Sequence, residues 1–157
     1  MTDEEIRESA IAFAKQNKER IAKELTDSTI YIPETTPISV FMAGSPGAGK
    51  TEFSKNLISL LGGNKERGVV RIDPDEIRPR IPGYRGSNSH LFQGAVALIV
   101  EKVHDFVLHK SQTFVFDSTL ARYEKAVDNI RRSLEKKQAH FYFLCISICI
   151  YLYLYIS

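Results

Sequence analysis

The sequence predicts an α/β fold in which helices cover both faces of a mainly parallel sheet, a three-layer α/β/α arrangement. Short apolar runs typical of buried strands alternate with longer segments of helical periodicity, which implies right-handed crossovers between parallel strands. A glycine-rich octet also stands between the first such strand and the next helix, at residues 44–51. The 157 residues suffice for one domain with a real core and leave no room for a second catalytic domain.

The chain begins with a predicted helix from Asp3 to Leu25, in which apolar residues recur at helical spacing. Thr2 and Glu5 have the spacing of a capping box at its start. We expect this helix to pack on the core, and a regulatory or partner-binding arm is the alternative. A connector with two prolines follows, so residues 1–37 are interpreted as an N-terminal helix and connector.

The main domain, residues 38–146, repeats the alternation of strands and helices. Strands are predicted near 38–43, 69–72, 113–116 and from 139, and helices near 50–61, 89–110 and 123–137. A loop that contains Pro79, Pro82 and Gly83 separates the second strand from the long helix. We therefore expect a sheet of four parallel strands preceded by the N-terminal helix.

The composition excludes little. Lysine and arginine total 21 and aspartate and glutamate 19, a net charge of +2, so there is no electrostatic case for a nucleic-acid partner. The two cysteines lie in an apolar run, which suits reduced buried thiols better than a zinc site or a disulfide, and the acidic N-terminus does not resemble an export signal. These features favour a reducing, cytoplasmic setting.

The C-terminal segment, residues 141–157, contains no charged side chain. Its length is at the lower limit for a membrane span. Its Ile and Tyr content, directly after a charged helix, favours a buried strand over a membrane anchor. After this strand the sequence resembles neither a strand exit nor a cap, so residues 147–157 are set apart as an apolar tail assigned to no element.

The octet carries the chemistry that the sequence predicts. It matches the pattern G-x-x-x-x-G-K-[ST] at every fixed position and consists of Gly44, Ser45, Pro46, Gly47, Ala48, Gly49, Lys50 and Thr51. Its glycines let successive backbone N–H groups turn inward to form an anion-binding nest at the positive end of the next helix. We expect this P-loop to bind ATP, with Lys50 on the β- and γ-phosphates and the Thr51 hydroxyl as a ligand of Mg²⁺. A turn that merely ends a strand would not explain the lysine and the threonine.

Acidic residues follow two of the predicted strands. Asp75 lies just past the second strand and Asp117 ends the third, at the sheet edge where such folds bind ligands. We expect both to converge on the phosphates, where a carboxylate coordinates magnesium through water or accepts the proton of an attacking hydroxyl. Asp73 is interpreted as a cap of the next turn. Three arginines of the following loop are candidates to orient phosphate or sugar groups, although loop arginines are commonly solvated: Arg78, Arg80 and Arg85.

From about Ile38 to Cys145 the sequence resembles the zeta-toxin family. The resemblance is carried by GSPGAGKT, by RIDPDEIRPRIPGY, by a helix that holds Glu101 and by FVFDST. Members of this family are described as ATP-dependent kinases that phosphorylate the sugar of UDP-N-acetylglucosamine and are inhibited by an antitoxin. The resemblance therefore implies a P-loop kinase that uses ATP and Mg²⁺, with a nucleotide-sugar substrate and a possible antitoxin protein as partner.

The resemblance also implies roles for single residues. The catalytic base of the family, the second aspartate of its I-D-x-D motif, falls on Asp75, which would act together with Lys50. The substrate contacts of the family fall on Glu101, Asp117 and Thr119, although a glutamate is also usual at position 117. By its position alone, Glu101 is equally consistent with a solvated helix residue.

Members of the family continue past the fourth strand into a lid whose arginines clamp the γ-phosphate, and this sequence ends at that point. Because such arginines contribute roughly a thousandfold or more in rate, we expect little turnover from the 157-residue chain itself. Two alternatives stay open: a P-loop kinase for another small molecule, such as an antibiotic or a nucleoside, and an ATP-binding fragment without turnover.

Overall fold

The computed structural model describes residues 1–44, 49–62, 68–117, 123–136 and 140–146. Its elements are α1 (Asp3–Leu25), β1 (Ile38–Gly44), α2 (Lys50–Gly62), β2 (Val70–Ile72), α3 (Pro74–Ile77), α4 (Gln93–His109), β3 (Phe114–Asp117), α5 (Tyr123–Glu135) and β4 (His140–Ile146). Single 3₁₀ turns lie at Arg78–Arg80 and Ser89–Leu91. The predicted N-terminal helix and the predicted alternation of strands and helices are confirmed.

The segment after β2 is more regular than the sequence predicts. α3 occupies its start, and the Asp73 side chain caps this helix by accepting a hydrogen bond of 2.8 Å from the backbone N–H of Asp75. Pro74 occupies the first helical turn, where its missing N–H has no intrahelical partner to lose. The capping role predicted for Asp73 is confirmed, whereas a helix of four residues is too short to be recognised by periodicity.

The chain forms two compact units, which we describe separately. Unit 1 consists of Met1–Asp27 and Asp73–Phe106, and unit 2 of Ser28–Ile72 and Val107–Ser157. The P-loop segment and the sheet belong to unit 2, whereas α1 and α3 belong to unit 1.

Unit 2 contains a four-stranded sheet in the order β2-β3-β1-β4, and every pair of neighbouring strands is parallel. The predicted parallel sheet is confirmed, including the strand that opens the apolar C-terminal run. Residues 147–157 lie outside the described residues. No helix in the described part of the chain is both long and apolar enough to cross a membrane.

Both faces of this sheet carry apolar side chains. α2 packs on one face, where the cluster consists of Val40, Met42, Val69 and Val115 with Ile38, Leu57, Ile58 and Leu61 against it. On the other face the Phe41 ring stacks on Phe116, with 5.5 Å between centroids, and meets Phe114 edge to face at 5.7 Å. Successive residues along each strand therefore lie on opposite faces of the sheet, and apolar side chains occur on both, as a sheet buried on both sides requires.

Unit 1 includes the N-terminal helix as a packed element. The Thr2 hydroxyl accepts from the backbone N–H of Glu5, and the Glu5 carboxylate accepts from the backbone N–H of Thr2, so the predicted capping box is confirmed. α1 buries four side chains: Ala10, Ala14, Ile21 and Ala22.

Ion pairs also join α1 to other parts of unit 1. Glu24 pairs with Arg80 at 2.7 Å, and Glu19 pairs with Lys102 of α4 at 3.2 Å. The hydrogen bond and the charge of Arg80 hold the pKa of the Glu24 carboxyl below its ordinary value. These contacts support the interpretation of α1 as a packing helix.

Candidate functional site

The two ends of the P-loop segment lie close together in unit 2. β1 ends at Gly44, and α2 begins at Lys50, whose Nζ donates a hydrogen bond of 2.8 Å to the Gly44 carbonyl oxygen. The lysine ammonium therefore lies at the carboxyl end of β1, where a phosphate chain must lie if it is to contact both the loop and the helix N-terminus. Residues 45–48, the predicted nest, lie outside the described residues.

Gly49 explains why the octet needs a glycine just before its lysine. Its φ of +76° is in the left-handed region, where a Cβ atom is strained. A Cβ at this position would meet nothing within 4 Å, so it is the backbone conformation that requires glycine. Thr51 follows in the first turn of α2 and is exposed, so its hydroxyl is accessible to a ligand.

The carboxyl ends of the parallel strands meet at one edge of the sheet. Met42 of β1 aligns with Asp117 of β3, and Ile72, the last residue of β2, aligns with Phe116. Asp117 therefore lies at the strand end next to that of β1, from which the P-loop segment leaves, as predicted from the alternation of elements.

The Asp117 side chain lies in a buried network that the sequence analysis did not predict. Its Oδ2 accepts a hydrogen bond of 2.8 Å from Nη2 of Arg71, a residue of β2. The Nε of Arg71 donates to the Ser54 hydroxyl at 3.0 Å, and this hydroxyl lies 3.3 Å from the same Asp117 oxygen. Three elements, β2, β3 and α2, thus share one charged cluster.

A signal for Arg71 is present in the sequence. An arginine in the middle of a short buried strand is rarely buried unless it is paired, so Val70-Arg71-Ile72 calls for a carboxylate nearby. Ser54 gives no comparable signal, because a serine in a helix is equally consistent with a solvated face.

In unit 1, Asp75 lies in the first turn of α3. Its side chain is 80% exposed and accepts a hydrogen bond of 2.5 Å from Nη1 of Arg78. Asp73, by contrast, is buried and occupied as the helix cap. The arrangement leaves Asp75 accessible to a substrate and gives Arg78 a defined partner, so this loop arginine is more than a solvated residue.

The remaining predicted substrate residues have less defined surroundings. Glu101 lies on α4 and is half-buried, which agrees equally with a ligand contact and with a partly solvated helix position. Thr119 lies outside the described residues. The structure therefore brings Gly44 and Lys50 together and connects Asp117 to α2, whereas the convergence of Asp75 on the phosphates stays a prediction.

Comparison with known proteins identifies the family. The zeta-toxin family model matches residues 21–146. No curated protein matches the chain significantly by sequence.

A solved structure from the PezAT chromosomal toxin-antitoxin system of Streptococcus pneumoniae has a similar fold. The TM-score is 0.68 at 18% sequence identity, and the match covers 84% of this chain. The chain spans 56% of the length of that protein. The predicted P-loop kinase fold is confirmed by this likeness. Because the family model covers most of its length, the chain belongs to the zeta-toxin family.

Proposed function

We propose that this chain is an ATP- and Mg²⁺-dependent kinase domain that phosphorylates a sugar hydroxyl of a nucleotide sugar. UDP-N-acetylglucosamine is the leading candidate, because it is the substrate that the family resemblance implies. The observation that carries the proposal is the contact between Lys50 and the Gly44 carbonyl at the carboxyl end of β1. This contact holds a cation at the carboxyl end of β1, the end of a parallel sheet at which such folds typically bind phosphates.

The side chains at this end of unit 2 suit a magnesium nucleotide. Lys50 provides a positive point charge for phosphate oxygens, and the exposed Thr51 hydroxyl is the type of oxygen ligand that Mg²⁺ takes in P-loops. Asp117 adds a carboxylate at the neighbouring strand end. When bound, ATP with its metal supplies the γ-phosphoryl group and neutralises charge that develops during transfer.

The acceptor side of the reaction requires a base. Asp75 accepts the proton of the attacking sugar hydroxyl, and its exposed carboxylate allows the direct hydrogen bond that this step needs. Arg78 holds the same carboxylate and limits its rotation. Glu101, Asp117 and Thr119 contact the sugar nucleotide in the arrangement that the family resemblance implies.

The proposed biological setting is a toxin-antitoxin pair in the cytoplasm. Membership of the zeta-toxin family and the toxin-antitoxin source of the similar structure support an antitoxin protein as the partner. The formal net charge of +2 gives no reason to add nucleic acid to the partners.

ATP binding is the first test. Lys50→Ala should weaken binding of magnesium ATP by roughly 10- to 100-fold in calorimetry, the effect of losing a hydrogen bond to a charged group. Lys55→Ala is the matched control, since Lys55 is an exposed lysine on the same helix. Equal affinities of the two variants, both folded by circular dichroism, would contradict the P-loop assignment.

A transfer assay identifies the acceptor. Labelled ATP is offered with UDP-sugars, nucleosides and aminosugars to a chain extended through the lid that the family resemblance implies. We expect label on UDP-N-acetylglucosamine only when Lys50 is intact. Label on a nucleoside or an aminosugar would instead establish a kinase for another small molecule. ATP binding without any transfer would establish the binding fragment.

A further inference from the structure

Unit 2 contains a buried charged cluster that joins β2 and β3 to α2. The Arg71 side chain is 9% exposed and that of Asp117 6%, and Ser54 is fully buried. Buried ion pairs are often less stabilising than apolar residues of the same volume, because both charges lose their hydration. Stability alone is therefore a weak reason for this arginine.

Hydrogen bonds connect this cluster to the first turn of α2. The Ser54 hydroxyl accepts from Arg71 Nε at 3.0 Å and donates to the Thr51 carbonyl oxygen at 2.9 Å. The guanidinium thus connects the end of β3, through Asp117, to the helical turn that begins with Lys50. This turn carries both side chains proposed to hold the magnesium nucleotide.

The geometry requires an arginine. Its planar guanidinium uses Nη2 for the carboxylate of Asp117 and Nε for the hydroxyl of Ser54. A lysine offers a single ammonium and cannot reproduce this fork. The Asp117 carboxylate is consequently connected to α2 through the Arg71 guanidinium, so its position relative to α2 is restrained.

We propose that Arg71 is a positioning residue of the magnesium-nucleotide site, which holds Asp117 and the first turn of α2 in the arrangement that binds the metal. The proposal rests on the proposed function of the P-loop. Arg71 does not contact the nucleotide in this scheme and acts through Asp117 and Ser54.

The test measures the magnesium requirement of ATP binding in the 157-residue chain. Groups that orient metal-binding residues typically change metal affinity by 10- to 100-fold when they are replaced. In Arg71→Met the Mg²⁺ concentration for half-maximal ATP binding should therefore rise by roughly 10- to 100-fold. Binding of ATP in EDTA should change by less than about twofold, because Lys50 and the loop remain.

Three further variants separate positioning from stability. Arg71→Lys retains the charge but not the two-pronged geometry of the guanidinium. Its Mg²⁺ concentration for half-maximal ATP binding should therefore lie between those of the parent and of Arg71→Met. Ser54→Ala keeps the ion pair and removes its connection to α2, and it provides the same measurement if Arg71→Met does not fold. Arg131→Met is the matched control, because Arg131 is an exposed arginine of α5 in unit 2.

The results distinguish this inference from the proposed function. A parent chain that binds no ATP at any magnesium concentration would refute the proposed function and the inference together. A parent that binds magnesium ATP, with folded Arg71→Met or Ser54→Ala variants of unchanged magnesium requirement, would refute the inference alone. A loss that is equal with and without metal would also refute it, because positioning of the metal site predicts a selective effect.

Discussion

Two aspartate–arginine pairs of this chain differ in burial. In unit 2, Arg71 and Asp117 are 9% and 6% exposed at a distance of 2.8 Å. In unit 1, Asp75 is 80% exposed and Arg78 17% exposed at 2.5 Å. Both aspartates were predicted site residues: Asp117 is the last residue of β3, and Asp75 follows the end of β2.

The difference in exposure suits Asp117 and Asp75 to different chemical tasks. A buried carboxylate that shares an arginine and a hydroxyl is fixed in place and suits a positioning task. An exposed carboxylate with one arginine partner can still accept a hydrogen bond from a substrate hydroxyl, which a general base requires. Burial therefore favours Asp75 as the base and Asp117 as the restrained acid near α2.

The largest expected effect concerns Asp75. Asp75→Asn should lower phosphate transfer by roughly 10²- to 10⁴-fold, the usual contribution of a positioned base, while ATP affinity changes by less than about twofold. Transfer is measured with labelled ATP in a chain extended through the lid that the family resemblance implies, because little turnover is expected from the 157-residue chain itself. Asp128→Asn, at an exposed position of α5, is the control. An Asp75→Asn variant as active as its parent would remove the base assignment.

A second prediction compares the two arginines in stability. Arg71→Met should lower the free energy of unfolding by about 3–5 kcal/mol, because it leaves the buried Asp117 charge uncompensated. Arg78→Met should lower it by about 1 kcal/mol or less, since Asp75 remains hydrated. Urea denaturation provides both values. Similar losses in the two variants would mean that burial does not distinguish the pairs.

The smallest effect is expected at the exposed pair between Glu24 and Arg80. The pKa of Glu24 is lowered from its ordinary value of 4.5, first by the hydrogen bond from Arg80. Its contribution to stability is therefore present above that value and is lost as the pH falls through the lowered pKa. Because the Glu24 side chain is 54% exposed, Glu24→Gln should reduce stability by only about 0.5 kcal/mol or less at neutral pH.

The pH dependence checks the assignment of this effect. Parent and Glu24→Gln chains are unfolded in urea at neutral and at acidic pH. The difference in the free energy of unfolding between the two chains should disappear at acidic pH, where the Glu24 carboxyl of the parent is protonated. A difference that persists there would show that packing of the Glu24 side chain, and not its charge, contributes the stability.

Much of the fold could be predicted from local patterns. The capping box at Thr2 and Glu5 and the helical spacing of apolar residues located both ends of α1. Periodicity did not indicate α3, since one helical turn is too short to show a repeat. The P-loop could be recognised because its glycines, lysine and threonine are adjacent in the chain.

The sequence by itself determined the order of the elements, the parallel sheet and the nucleotide-binding octet, because each depends on residues close together in the chain. Only the tertiary structure decided the strand order β2-β3-β1-β4 and the partner of Asp117. Ser54, Arg71 and Asp117 lie on different elements and far apart in sequence, so no local pattern connects them. The parallel pairing of β2 with β3 and the packing of α2 brought them together, and burial made the charges of Arg71 and Asp117 depend on one another.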